Sequence, residues 1–219
     1  MRLLFFLELL VLFCLSRALT SGLSLLFHKI FKSQRISVWL IAIIFLPGTI
    51  IHEFSHAIMA KFLFVHVGKM ELVPRLNGES LKLGSVEVGK TDLIRNFFIG
   101  IAPFVTGLSL LLLILYISFS KNIVGLNLMT GVVLYFIFVI SNTMYSSKKD
   151  MEGAVEFFLL LVAPVLVLYF LGVRIPGLNL SFFTSPMFEN YLKQAEIFLA
   201  IPLILDIGLI LFSKIVVRR

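Results

Sequence analysis

The chain has 219 residues, of which 59% are hydrophobic and only 14% are charged, with a formal net charge of +7. A soluble domain of this size needs a charged exterior, so the composition excludes an ordinary water-soluble fold and fits a chain immersed in lipid. The basic residues sit in short connections between apolar stretches and form no continuous stripe, which argues against nucleic acid as a partner.

Arg2 followed by the apolar run Leu3 to Leu15 has the form of a signal peptide, and Ser16-Arg17-Ala18 loosely resembles a cleavage site. Apolar residues continue through Phe27 and nothing soluble follows, so the segment reads as a retained first helix with Glu8 and Arg17 as its polar exceptions. Cys14 lies inside this run and reads as a small apolar residue. After a linker containing His28, Lys29, Lys32 and Arg35, Val38 to Leu63 forms a second span. Val65 to Lys90 then changes character. Two short alternating stretches flank Arg75-Leu76-Asn77-Gly78-Glu79, which predicts a β-hairpin with an Asn-Gly turn.

Phe97 to Phe119 and Ile123 to Tyr145 are each 23 residues without a charge, long enough to cross about 30 Å of hydrocarbon as helices. Ala154 to Val173 reads as a fifth span, and Ile197 to Val217 as a sixth with Asp206 near its middle. The expected architecture is therefore an all-α polytopic membrane protein, a single domain over residues 1–219 with six spans and a small hairpin over 65–90. Six crossings would place both termini, the hairpin and the loop at Ser146 on one side. That side holds 12 of the 19 Lys and Arg, which predicts both termini in the cytoplasm and a cell-membrane location.

The chemistry is concentrated in His52-Glu53-Phe54-Ser55-His56, in the C-terminal half of the second span and preceded by Pro47-Gly48. This is HExxH. Residues four apart lie one helical turn above each other, so both imidazoles can reach one zinc ion while Glu53, about 100° round the axis, faces a water to be activated. The bland reading is an accidental pattern whose polar groups are satisfied in a helical bundle. Three ionisable groups within five positions of an apolar span are costly, however, and such groups usually mark function.

A zinc that keeps a position open for water needs a third protein ligand. The extended pattern with a third histidine fails, because Phe62 stands at that position and Met59 replaces its glycine. Glu71, Glu79 and Glu87 are possible ligands but read more simply as solvated hairpin carboxylates. Asp150 is the better candidate, since it follows the fourth span, which must end on the same side as the second. Its alternative reading is a solvated helix end beside Lys148 and Lys149. His66 and His28 read as hairpin and linker residues. Asp206 reads as a protonated carboxyl hydrogen-bonded between helices, with a functional role as the alternative.

HEFSH within a span, followed much later by Asn142 and Asp150 eight residues apart, resembles the site-2 protease family of intramembrane zinc metalloproteases. The resemblance covers about Val38 to Gly153 and extends weakly to Gly100 and Pro103 in the third span. It implies that His52, His56 and Asp150 bind Zn2+, that Glu53 is the general base, and that Asn142 lies near the substrate backbone. It also implies a transmembrane protein as substrate, cleaved in or near its span. The chain departs from the family pattern at Tyr145 in place of proline, Lys149 in place of leucine and Met151 in place of glycine, and carries no PDZ-like or CBS-like domain. In one regular helix Asn142 and Asp150 would stand about 12 Å apart along the axis. The helix therefore has to break near Tyr145 or Ser146 for both to serve one site. The hairpin fits either a membrane-surface cap or an edge to which an unwound substrate strand can add. The rival readings are a metal-binding scaffold or transporter without proteolysis, and a membrane metallopeptidase of another class with a glutamate as third ligand.

Overall fold

The computed structural model describes residues 2–72, 75–77, 80–121, 125, 127–145, 159–160, 163–171 and 185–218. Among these, α1 spans Arg2–Phe31, α2 Gln34–Phe62, α3 Leu93–Ser120, α4 Leu128–Thr143, α5 Ala163–Phe170 and α6 Pro186–Arg218. Four of them, α1, α2, α3 and α6, are long and apolar enough to cross a membrane. At 30 residues α1 is about 45 Å long. The 16 residues of α4 make a shorter apolar helix of about 24 Å. The segment expected as a fifth span lies mostly outside the described residues, apart from α5 and residues 159–160.

The bundle is apolar outside, and its largely apolar interior also buries polar residues. Its buried polar residues include Ser16, Ser37, Thr49, Glu53, Ser55, His56, Ser141, Asp206 and Ser213, whereas Phe6, Ile43, Phe54, Ile58, Ile204 and Phe212 are exposed. Such a surface would aggregate in water and is the ordinary surface of a chain solvated by lipid. The buried serines bond carbonyls three or four residues back, as Ser55 does to Ile51 (2.6 Å) and Ser213 to Ile210 (2.8 Å). Each therefore satisfies its polar group within its own helix.

Helix directions follow from the contacts. α2 and α3 are antiparallel, α2 and α4 run parallel, and α1 runs parallel to α6. The last pair is fixed at several levels. Leu9 and Leu199 share one core cluster, Leu23 and Ile210 another, and Lys29 Nζ donates to the Val216 and Val217 carbonyls at 3.1 and 2.9 Å. An even number of single crossings would set the first and last helices antiparallel. The described helices therefore do not follow the expected six-crossing scheme, and Arg2 and Arg218 stand at opposite ends of the bundle instead of together. The expectation counted the segment from Ala154 to Val173 as one crossing. That segment lies mostly outside the described residues, and α4 ends beside the middle of α6, where Asn142 meets Asp206.

α2 closes on a chiral cap. Val65 N donates to Ala60 O (2.8 Å) and Phe64 N to Lys61 O (3.0 Å), a Schellman arrangement with Phe64 in the left-handed region at φ 58°. Val65 then packs against Ala60 and Ile99, which directs the chain into the hairpin. Strand β1 (Val67–Glu71) pairs antiparallel with β4 (Ser85–Val88), with an irregularity between Val67 and Met70, and β2 (Arg75–Asn77) pairs with β3 (Ser80–Lys82). Asn77 faces Ser80, so the two residues between the paired ends are 78 and 79, one position beyond the Asn-Gly turn expected.

Candidate metal centre

α2 carries the motif on its buried face. Ile41, Phe45, Gly48, Thr49, Glu53, His56 and Ala60 are buried and recur at helical spacing, while Trp39, Ile43, Phe54 and Ile58 are exposed on the other side. The helix passes α4 at Gly48, where a Cβ would overlap the Thr143 hydroxyl and lie 2.9 Å from the Val139 carbonyl oxygen. Only a glycine permits that approach. Likewise Gly107 on α3 lies against Met144, where a Cβ would overlap that side chain. The two glycines bring α2, α3 and the end of α4 together around His52.

Each imidazole is oriented by a main-chain carbonyl from another helix. His52 Nδ1 lies 2.7 Å from Thr143 O, and His56 Nδ1 lies 2.7 Å from Ile99 O. A carbonyl can only accept, so Nδ1 is the protonated nitrogen in both rings and Nε2 carries the lone pair. That tautomer is the one a histidine needs to bind a metal through Nε2, with an outer hydrogen bond fixing the ring. The ring centroids are 5.0 Å apart and the planes cross at 78°. Two imidazoles on one tetrahedral zinc, with Zn–N bonds of about 2.0–2.1 Å, have centroids about 5 Å apart. The ring separation is the one that a shared zinc would need.

Glu53 is 7% exposed and sits beneath the hairpin. A Cβ on Gly84, the residue before β4, would lie 2.7 Å from Thr49 Cγ2 and 3.1 Å from Glu53 Oε1. The absence of a side chain at Gly84 lets the main chain lie against the carboxylate, and the inner strands of the hairpin are thus brought to the motif.

α4 ends at Thr143, with Met144 as its C-cap and the Met144 N–H on Ile140 O at 3.0 Å. The break expected near Tyr145 is present. Tyr145 donates its hydroxyl to Leu9 O (2.9 Å) and stacks edge-on with Phe13. Asp150, seven residues past Thr143, lies outside the described residues. Among those described, no set of three His, Cys, Asp or Glu side chains converges as a metal site. Glu71 and Glu87 lie on the hairpin strands, where Glu87 is exposed and accepts from Lys69 N (3.4 Å). Glu79 lies outside the described residues. His66 is exposed just before β1.

Asn142 is brought to Asp206. Its amide nitrogen donates to Asp206 Oδ1 at 2.8 Å and to Phe138 O at 2.9 Å. Asp206 is fully buried, and its Oδ2 and the Asn142 Oδ1 are buried without a hydrogen-bond partner among the described residues. The expected interhelical role of Asp206 is present as this bond, while the structure joins Asn142 to α6 and not directly to the two histidines.

Sequence reasoning missed the two carbonyls that orient the rings. One signal was available: Pro103 lies four residues after Ile99, and proline removes the donor an Ile99 carbonyl would otherwise meet in a helix. The other acceptor depends on where α4 ends, which periodicity does not locate. No family model, no curated protein and no solved structure matches this chain.

Proposed function

We propose that the chain is an intramembrane zinc metalloprotease that hydrolyses a peptide bond in or near the transmembrane segment of another membrane protein. The observation that carries the reading is the pair of imidazoles held in the Nε2-binding tautomer by carbonyls from two different helices, one residue from a buried glutamate. An Nδ1–H held by a carbonyl is the outer hydrogen bond that metal-binding histidines use. His52, His56 and, from beyond the described residues, Asp150 hold the Zn2+ in this proposal, which supplies Lewis-acid polarisation of the scissile carbonyl and acidifies water.

Glu53 is the general base. It accepts the proton of the attacking water and delivers it to the leaving amine, and its burial beneath Gly84 strengthens its interactions by excluding solvent. A helical peptide bond is shielded by its own hydrogen bonds, so the substrate segment has to be unwound. The hairpin lies beside Glu53 and offers strand edges to which an extended segment can add. Asn142 is assigned to the substrate side of the site, with its amide nitrogen held by Asp206.

The connection between α2 and α3 carries Lys61, Lys69, Arg75, Lys82, Lys90 and Arg95, so we place that end, with the N-terminus and the mouth of the site, at the cytoplasmic face of the cell membrane. The C-terminus then lies on the opposite face. The proposal in this form has α4 as a crossing. The functional test is cleavage of a reconstituted transmembrane substrate. Glu53→Gln is expected to lower turnover by at least about 10³-fold while zinc content stays at the wild-type level. Normal cleavage by that variant would overturn the mechanism.

A further inference from the structure

We propose that Pro103 is a positioning residue of the metal centre, in that it releases the Ile99 carbonyl from the α3 ladder so that His56 can use it. In a regular helix the carbonyl of residue 99 accepts from the N–H of residue 103. Residue 103 is a proline inside α3, has no N–H, and its ring displaces the carbonyl four residues back from the ladder. His56 Nδ1 lies 2.7 Å from that carbonyl. Ile99 and His56 are each 4% exposed, and Pro103 is fully buried. Water does not substitute for either partner there. A carbonyl left unsatisfied in a lipid-embedded bundle is costly, and so is an imidazole N–H, so each group satisfies the other.

The comparison with His52 sharpens the assignment. Its acceptor, Thr143 O, lies in the last turn of α4, where helix carbonyls have no intrahelical donor in any case. One acceptor arises from a helix end and needs no special residue. The other arises in mid-helix and depends on Pro103. The inference rests on the zinc-site reading for its purpose, but its geometry is present without the ion.

The test replaces Pro103 in the full chain in two ways. Pro103→Ala restores an N–H to compete for the Ile99 carbonyl. The α-hydroxy acid analogue of alanine at position 103 keeps the alanine side chain but has an ester oxygen where the N–H would be. Two readouts are taken in detergent: 15N spectra of the metal-free imidazoles, and zinc affinity by chelator competition with His56→Ala as the control. Pro103→Ala is expected to shift His56, but not His52, away from the Nδ1–H tautomer and to weaken zinc about 10-fold or more. The ester is expected to restore the wild-type tautomer, with zinc affinity within about threefold of wild type. If the ester behaves like Pro103→Ala, the proline ring and not the missing N–H matters, and the inference fails. An unchanged His56 tautomer in Pro103→Ala also overturns it. A wild type that binds no zinc contradicts the proposed function instead, and the tautomer readout then still decides the role of Pro103.

Discussion

The α2–α4 crossing and the α1–α6 pairing are both made at glycines, yet the two contacts differ in kind. At Gly48 an added Cβ would meet the Thr143 hydroxyl, Val139 Cγ1 and the Val139 carbonyl oxygen, part of it main chain that cannot rotate away. At Gly22 it would meet only the Ser213 side chain, whose Oγ lies 2.9 Å off. The α2–α4 contact fixes where the Thr143 carbonyl stands, and with it His52. The contact at Gly22 meets neither of the carbonyls that orient the histidines. Close glycine contacts thus serve packing in one region and the orientation of a ring in the other, and the two can be told apart by how much the neighbours can yield.

The largest expected effect follows directly. Gly48→Ala should destabilise the protein by about 2–3 kcal/mol, whereas Gly22→Ala should cost less than about 1 kcal/mol, as read by unfolding in mixed detergent micelles. Equal costs would break the distinction. The α4–α6 bond comes next. Asp206→Ala leaves the Asn142 amide without its 2.8 Å acceptor and should cost about 1–3 kcal/mol, while Asp206→Asn retains a carbonyl acceptor and should cost less than about 1 kcal/mol in the same unfolding assay.

A gain is expected at Phe64, whose left-handed backbone is unfavourable for a residue with a Cβ and whose side chain is 93% exposed. Phe64→Gly should raise stability by about 1 kcal/mol in thermal unfolding, provided the exposed ring makes little contribution of its own. The smallest effect is at the start of α3. There the Arg95 main-chain N–H, with help from the Arg95 guanidinium, holds the Asp92 carboxyl below its ordinary value. Stabilisation by a depressed carboxyl is present above the unfolded value and is lost as pH falls through the folded one. The Arg95 amide resonance should therefore keep its position down to about pH 4 and move only in stronger acid, and Asp92→Asn should remove that movement.

The sequence located the candidate site's residues more fully than its geometry. HExxH needs only helical spacing, so His52, Glu53 and His56 were legible, and so were the four long apolar helices and the alternation of the hairpin. The hairpin register slipped by one residue because an Asn-Gly pair is only a local turn preference, whereas the pairing of Asn77 with Ser80 depends on both strands. Helix direction was not legible, because the parallel packing of α1 and α6 joins residues nearly 190 positions apart, as Lys29 and Val217 show. The Asn142–Asp206 bond was beyond reach for the same reason. Asp206 could be identified as a buried carboxyl needing a partner, but no local pattern named Asn142. The break in α4 was expected from the demand that two residues share one site, and the helix does end at Thr143.

The central claim is that His52 and His56 hold a zinc ion, and elemental analysis of the detergent-purified full chain tests it most directly. The account predicts near-stoichiometric zinc in the wild type, and its loss in both His56→Ala and Asp150→Ala. Zinc that survives in His56→Ala, or a wild type that holds none after purification in zinc-containing buffer, would contradict it.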